Sequence, residues 1–397
     1  MRKSFLFTSE SVAEGHPDRV CDTVSDAIVD SFLRQDPYSH VVTECALSKG
    51  VVFVAARFAA DASVDIPDVV RQVVGEIGYR KKDFNAAECT VVTSLTEQSR
   101  THRYDWDELD LSDQDLDRIG VTNHITQFGY ACKQTPDFLP LPIFLTNRLA
   151  RRMTEVRRLQ SLPYLSPDCT TQVGVEFIEG QPHRIHSLTL IAGRQGGDKD
   201  KVDIAQLRDD FILHVVQPVF GTELLQPDEE TEIFINPRGQ FTKSGPAVHS
   251  GMTGRKSAAD TYGGYARQAG SALSGKDPGR IDRVGAYAAR YAAKNVVAAG
   301  LAEECEIQLS YTIGQAHPVS LEARCFGTAT VSEDTIEKRL AECIDFRLGA
   351  LIRDFELRRL SSRFVDGFYR KLPAHGHVGT SFTELPWERT DKASALK

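Results

Sequence analysis

Between Asn236 and Asp282 the chain sets basic residues among glycines. The runs are Asn236-Pro237-Arg238-Gly239-Gln240-Phe241, Gly251-Met252-Thr253-Gly254-Arg255-Lys256 and Ser274-Gly275-Lys276-Asp277-Pro278-Gly279-Arg280-Ile281-Asp282-Arg283. Small residues let backbone approach an anion closely, and Arg and Lys supply charge and fork geometry. That combination suits a polyphosphate. No segment has the Gly-x-x-x-x-Gly-Lys-Ser/Thr spacing or a dinucleotide Gly-x-Gly-x-x-Gly, so such a site is of another loop type. A glycine-rich structural turn region is the competing reading of the same spacing. The chain as a whole is acidic, with a formal net charge of −8. This argues against nonspecific nucleic-acid binding, and anion chemistry must come from local clusters. The eight cysteines are scattered, with no Cys-x-x-Cys pair and no zinc-site spacing, which reads as reduced and mostly buried thiols.

A length of 397 residues calls for two or three cores to position these runs. Three pairs of apolar, β-rich stretches read as hairpins: Val41–Leu47 with Val51–Phe58, Gln172–Ile178 with Ile185–Ile191, and Glu306–Tyr311 with Ser320–Phe326. An amphipathic helical stretch follows each, Ile66–Ile77, Ile204–Val216 and Ser332–Phe346, which suggests one hairpin-plus-helix unit used three times. The charged segment from Arg100 to Asn123 is long for a connection, and reads as a mobile loop over a site or as a short solvated helix from Asp113 to Arg118. Disorder is expected only around Asp391–Lys397. No apolar run is long enough to span a bilayer and the N-terminus has no signal-peptide core, so no membrane partner and an intracellular, cytoplasmic location are expected.

The opening Phe7-Thr8-Ser9-Glu10-Ser11-Val12-Ala13-Glu14-Gly15-His16-Pro17-Asp18 resembles the start of the methionine adenosyltransferase (S-adenosylmethionine synthetase) family. So do Thr253-Gly254-Arg255-Lys256 through Asp260-Thr261-Tyr262-Gly263-Gly264, and Ser274-Gly275-Lys276-Asp277-Pro278 running into Ala286–Asn295. The likeness continues through Glu306–Tyr311 to Pro386–Lys392, nearly the whole chain in order. It implies an α+β fold of three similar domains around a pseudo-threefold axis. We place them at 1–101, 124–240 and 241–397, with 102–123 as a loop over the site and with exchange of segments between domains allowed. A homodimer, or a dimer of dimers, with active sites at the subunit interface is implied as well. The family reaction is displacement at C5′ of ATP by the sulfur of methionine, after which the tripolyphosphate is hydrolysed to pyrophosphate and phosphate. A thioether needs no general base, so the chemical burden lies on the anionic leaving group.

By this resemblance His16 stands near the breaking C5′–O bond, Asp18 and Asp282 hold Mg²⁺, and Glu44 is associated with K⁺. Arg255, Lys256 and Lys276 are the phosphate-binding cations, and Arg280 stands where the family has lysine. Asp277 belongs to the same phosphate motif, and Phe241 matches the aromatic that stacks on adenine. Gln98 and Ile313 match methionine contacts. Four further positions depart from the pattern. Asn123 replaces an aspartate that contacts ribose, in a stretch that has lost two glycines; Thr170 replaces a lysine near the reacting centre. Arg57 and His249 replace two acids that help hold the ammonium of methionine, and an arginine cannot shed its charge. The ATP and metal half is kept and the acceptor half is rebuilt. Methionine remains the first expectation for the acceptor, with an anionic or amine-free nucleophile next. A tripolyphosphatase and a non-catalytic regulatory paralogue are the readings from other classes.

Overall fold

The computed structural model describes residues 4–81, 84–195, 202–239, 243–379 and 383–397. All three expected hairpins form, with strands His40–Ser48 and Val51–Ala59, Leu165–Ile178 and Gln181–Arg194, and Glu304–Tyr311 and Ser320–Arg324. Strict alternation shapes the first one: Val41, Thr43, Cys45 and Leu47 point inward while their neighbours face out. The second hairpin is longer than its apolar pattern indicates, because Leu165–Cys169 run on as fully buried strand where alternation is lost. Its two-residue turn, Glu179-Gly180, has positive φ at both positions, as a right-twisted hairpin needs.

Each hairpin is preceded by a leading strand and a long helix: Ser4–Val12 with Pro17–Gln35, Ile125–Cys132 with Leu141–Arg158, and Gly251–Met252 with Ile281–Ala298. Each is followed by a shorter helix, Ile66–Ile77, Ile204–Phe211 or Glu333–Cys343. The middle one continues as a π-helical turn over Ile212–Val216. In the first two units a further strand returns parallel to the hairpin, Thr90–Glu97 and Glu232–Ile235.

The leading strands do not stay at home. Ser4–Val12 pairs with the hairpin of the second unit, Ile125–Cys132 with that of the third, and Gly251–Met252 with that of the first. The exchange is cyclic, so each unit completes the sheet of the next and the three are related by a pseudo-threefold operation. It also carries the loops that follow the leading strands into a neighbouring unit. The loop after Val12 and the loops on either side of Gly251–Met252 reach the candidate site in this way.

Two segments differ from the sequence expectation or resolve it. The Asp391–Lys397 end is packed, not disordered: Leu396 is fully buried, the Tyr291 hydroxyl donates to Asp391 over 2.7 Å, and Arg339 donates to the carbonyls of Leu396 and Lys397. One large apolar residue, Leu396, in a short polar tail gave the sequence no period to show this. Within Arg100–Asn123 a helical turn forms over Asp113–Leu116, closed by a reciprocal Ser112/Asp115 cap, with Leu116 buried.

Candidate active site

His16 ends the loop after the first leading strand and caps the Pro17–Gln35 helix. Its Nδ1 accepts from the Asp18 amide at 3.2 Å. That bond leaves the ring proton on Nε2, available as a donor. Burial, reinforced by Lys256, pushes the His16 pKa down to about 4, so the ring is neutral at physiological pH. Asp18 accepts from the Met252 amide at 3.0 Å and from Lys256 Nζ at 2.5 Å, with Arg255 3.8 Å away and half exposed. Although burial opposes it, these donors hold the Asp18 carboxyl below the usual range. His249 lies near enough to disfavour charge on His16 and to favour it on Asp168. Asp168, which sequence reasoning did not single out, is buried and accepts from the Gly245 amide at 2.7 Å. Burial raises its pKa to about 6.

A second cluster forms around the start of the Ile281–Ala298 helix. Lys276 Nζ lies 3.1 Å from Asp282 and donates to Ser271 Oγ over 2.6 Å, and Ser271 in turn donates to Asp282. The Asn123 amide donates to the same carboxylate at 3.0 Å, and Arg280 stands 4.0 Å from it. The other carboxylate oxygen of Asp282 is buried and has no hydrogen-bond partner among the described residues. An acceptor oxygen in that state beside two cations suits a hard cation or its hydration shell. Among the described residues no group of three or more His, Cys, Asp or Glu side chains is placed to hold a metal ion by itself. A divalent ion here would therefore take oxygens from Asp18 or Asp282 and complete its shell from phosphate and water.

The cationic loops are held from beneath by the first long helix. Asp18, Asp22, Asp26 and Asp30 recur every fourth residue, on one face of that helix, and all four are buried. Asp22 accepts from the Gly254 amide at 2.7 Å and Asp26 from the Gly275 amide at 2.8 Å. These are the glycines just before Arg255 and Lys276. Both have positive φ, and a Cβ on Gly275 would stand 2.1 Å from the Thr43 carbonyl oxygen. Asp26 is ion-paired with the fully buried Arg283 at 2.6 Å, and Arg19 bridges Asp22 and Asp260. Gly254 and Gly275 are thus required by close approach to protein as well as by any anion. The four-residue acidic period was visible in the sequence and is the signal that would have located this support.

The two clusters do not touch each other. Met252, beside Asp18, pairs with Ala46, while Lys276 bridges to Val42 on the same edge of the same strand. Four residues of strand separate them, about 13 Å. Arg57 lies across that strand opposite Val42, exposed, and among the described residues it makes no ion pair within 4 Å. Gln98 follows the neighbouring strand, its amide donating to the Phe58 carbonyl. Ile313 is exposed in a loop tied to Val121, next to Asn123. Gln98, Arg57 and Ile313 thus belong with the Lys276 half, and His249 with the His16 half. Glu44 is exposed on the outer sheet face, and Thr170 is on the Leu165–Ile178 strand opposite Val12. Asp277 is fully buried, with both oxygens engaged by protein donors, which leaves it no direct contact to offer a ligand. Phe241 lies outside the described residues.

Comparison with known proteins matches three consecutive family models to the chain. They are the S-adenosylmethionine synthetase N-terminal domain over residues 4–100, its central domain over 118–241 and its C-terminal domain over 243–389. The chain is also similar, end to end, to curated proteins named S-adenosylmethionine synthase. It is 44% identical to that of Microcystis aeruginosa, with 100% of this chain and 98% of the relative aligned. Against those of Trichormus variabilis and Acaryochloris marina it is 43% and 44% identical, with 100% of this chain and 97% of each relative covered.

Proposed function

The chain belongs to the S-adenosylmethionine synthetase family, and on that premise we propose that it transfers the adenosyl group of ATP to the sulfur of L-methionine, releasing and hydrolysing tripolyphosphate. The observation that carries this reading is the pairing of a neutral, proton-donating His16 with two sets of cations and carboxylates suited to a polyanionic leaving group. His16 Nε2–H donates to the oxygen that leaves C5′, where negative charge grows as the bond breaks. Lys256, Arg255, Lys276 and Arg280 neutralise the phosphates, fixed in advance by the aspartates beneath them. Asp18 and Asp282 would hold Mg²⁺, which would supply further charge stabilisation on the phosphate oxygens. Glu44 offers one exposed carboxylate to K⁺, only part of a donor set.

The separation of the clusters supports an active site shared between two copies. The outer face of the first sheet, which carries Glu44 and Arg57, also exposes Val51, Phe53, Val92 and Met252 at 41–50% of their surface. An exposed apolar face beside the Asp18 half-site is what a second copy would cover, placing His16 of one copy against Lys276 of the other. We take the domain boundaries to be 1–101, 124–240 and 241–397. The cyclic strand exchange and the three family matches support that division. Among the described residues no helix is long and apolar enough to cross a membrane, and all eight cysteines are free thiols. Free thiols favour a reducing, cytoplasmic setting.

Arg57, which has no ion pair among the described residues, favours a second reading, in which the acceptor presents an anion there in place of an ammonium. Purified protein given ATP, Mg²⁺, K⁺ and methionine separates the two by mass spectrometry. Formation of S-adenosylmethionine with pyrophosphate and phosphate is the expected result. Bound ATP with no sulfonium would move the reading to the altered acceptor.

A further inference from the structure

The segment from Arg100 to Asn123 grips the 276–283 turn near both of its ends. Asn123 reaches Asp282 directly. Near the other end, the Tyr104 hydroxyl lies 3.2 Å from Asp277 Oδ1 and 3.1 Å from His40 Nδ1. Asp277 is the buried residue between Lys276 and the Gly279-Arg280 turn. Its Oδ1 also accepts from the Gly279 amide at 2.7 Å, and its Oδ2 accepts from the Val41 amide at 2.8 Å, with His40 at 3.1 Å. The backbone repeats the same connections: the Asp277 amide donates to Val41, the Arg280 amide to Asp277, and Lys276 bridges Val42.

The fit beneath Tyr104 is close. A Cβ on Gly279 would stand 1.9 Å from the tyrosine oxygen, so the hydroxyl rests on the backbone of the turn. Tyr104 itself is fixed from outside. Its amide donates to the Tyr38 carbonyl at 3.0 Å, and its ring meets His40 and Trp106 edge-on, each at 5.6 Å between centroids. The buried Arg358 guanidinium lies 4.7 Å from the Tyr104 ring and 3.9 Å from that of Trp106, paired with Glu108.

We propose that Tyr104 and His40 are positioning residues, which hold Asp277 so that Lys276 and Arg280 present their charges in the geometry a linear polyphosphate requires. The proposal rests on the polyphosphate-site reading above and adds to it a part for the charged segment. That segment sets the phosphate-binding turn from behind, through a carboxylate that touches no ligand. A displaced turn loses bonds to the triphosphate, while the methionine contacts at Gln98 and Ile313 do not depend on it.

The test is calorimetric titration of the full-length protein with magnesium tripolyphosphate, beside thermal melting, for wild type and Tyr104→Phe. The expected result is a roughly tenfold weaker affinity in the variant, the scale of one hydrogen bond to a charged group, with a small change in melting temperature. A lower melting temperature with unchanged affinity would make Tyr104 merely structural and overturn the proposal. Gly279→Ala, which pushes the same hydroxyl away, should weaken binding likewise and serves as the probe if Tyr104→Phe does not fold. A wild type that fails to bind tripolyphosphate removes the function reading, and this proposal with it. Equal binding by wild type and both variants removes this proposal alone.

Discussion

His16 shows how local structure decides chemistry at one residue. As the cap of a buried helix its Nδ1 is committed to the Asp18 amide, and burial keeps the ring neutral, which suits it to the proposed part of hydrogen-bond donor and not of standing cation. The family motif identified the residue; the tautomer and the charge state come only from packing. Asp168 makes the complementary point. Nothing in its sequence surroundings marks it, yet burial raises its pKa from 3.8 to about 6. Since the unfolded chain gives up this proton near pH 4 and the folded chain holds it to about pH 6, rising pH costs the folded state up to roughly 3 kcal/mol across that window. Asp168→Asn removes the titration. Melting temperatures of ligand-free wild type and variant should therefore diverge in the variant's favour as pH rises from about 4 to 6. Parallel curves would mean that Asp168 is solvated enough to ionise normally.

At the scale of elements, the hairpins and their following helices were legible because each carries a regular period, two for the strands and 3.6 for the helices. The π-helical turn after Phe211 was not, since its residues continue the apolar pattern of the helix, and the buried start of the second hairpin was not, since Ser166, Pro167 and Asp168 interrupt the apolar pattern there. The glycine-rich loops were legible as chemistry but only in part as mechanics. Gly275 donates to Asp26 and packs against Thr43, so its positive φ is demanded by the protein interior. Gly275→Ala is expected to lose about 1–3 kcal/mol of stability from the strained backbone alone. Turnover should fall further than stability explains, because Lys276 is the next residue. Denaturant unfolding together with steady-state rates checks this, and unaltered values for both would show that the turn relaxes without moving its lysine.

For the whole molecule, the cyclic exchange of leading strands is the feature that sequence patterns reveal least. Strand partners lie 158 (Val12 with Thr170) to 206 (Met252 with Ala46) residues apart, and no local period encodes which unit a leading strand joins. The exchange nonetheless builds the site, since the loops around Gly251–Met252 meet the His16 helix only through it. One consequence is that Asp18 and Asp282, read together from the sequence as a metal pair, fall in separate clusters along one strand edge. The exposed apolar face at the Asp18 end of that sheet supports the proposal that a second copy brings the halves together.

The most direct measurement is subunit complementation between His16→Ala and Lys276→Ala, each inactive alone, with S-adenosylmethionine formation from ATP and methionine as the readout. In a mixed dimer, one site receives both lesions and the other receives an intact His16 from one copy and an intact Lys276 from its partner. After free exchange of an equal mixture, roughly a quarter of wild-type activity should return, because half the dimers are mixed and each has one working site of two. A mixture that stays inactive, beside an active wild type and proven exchange, would contradict the account by showing that each chain needs both residues of its own.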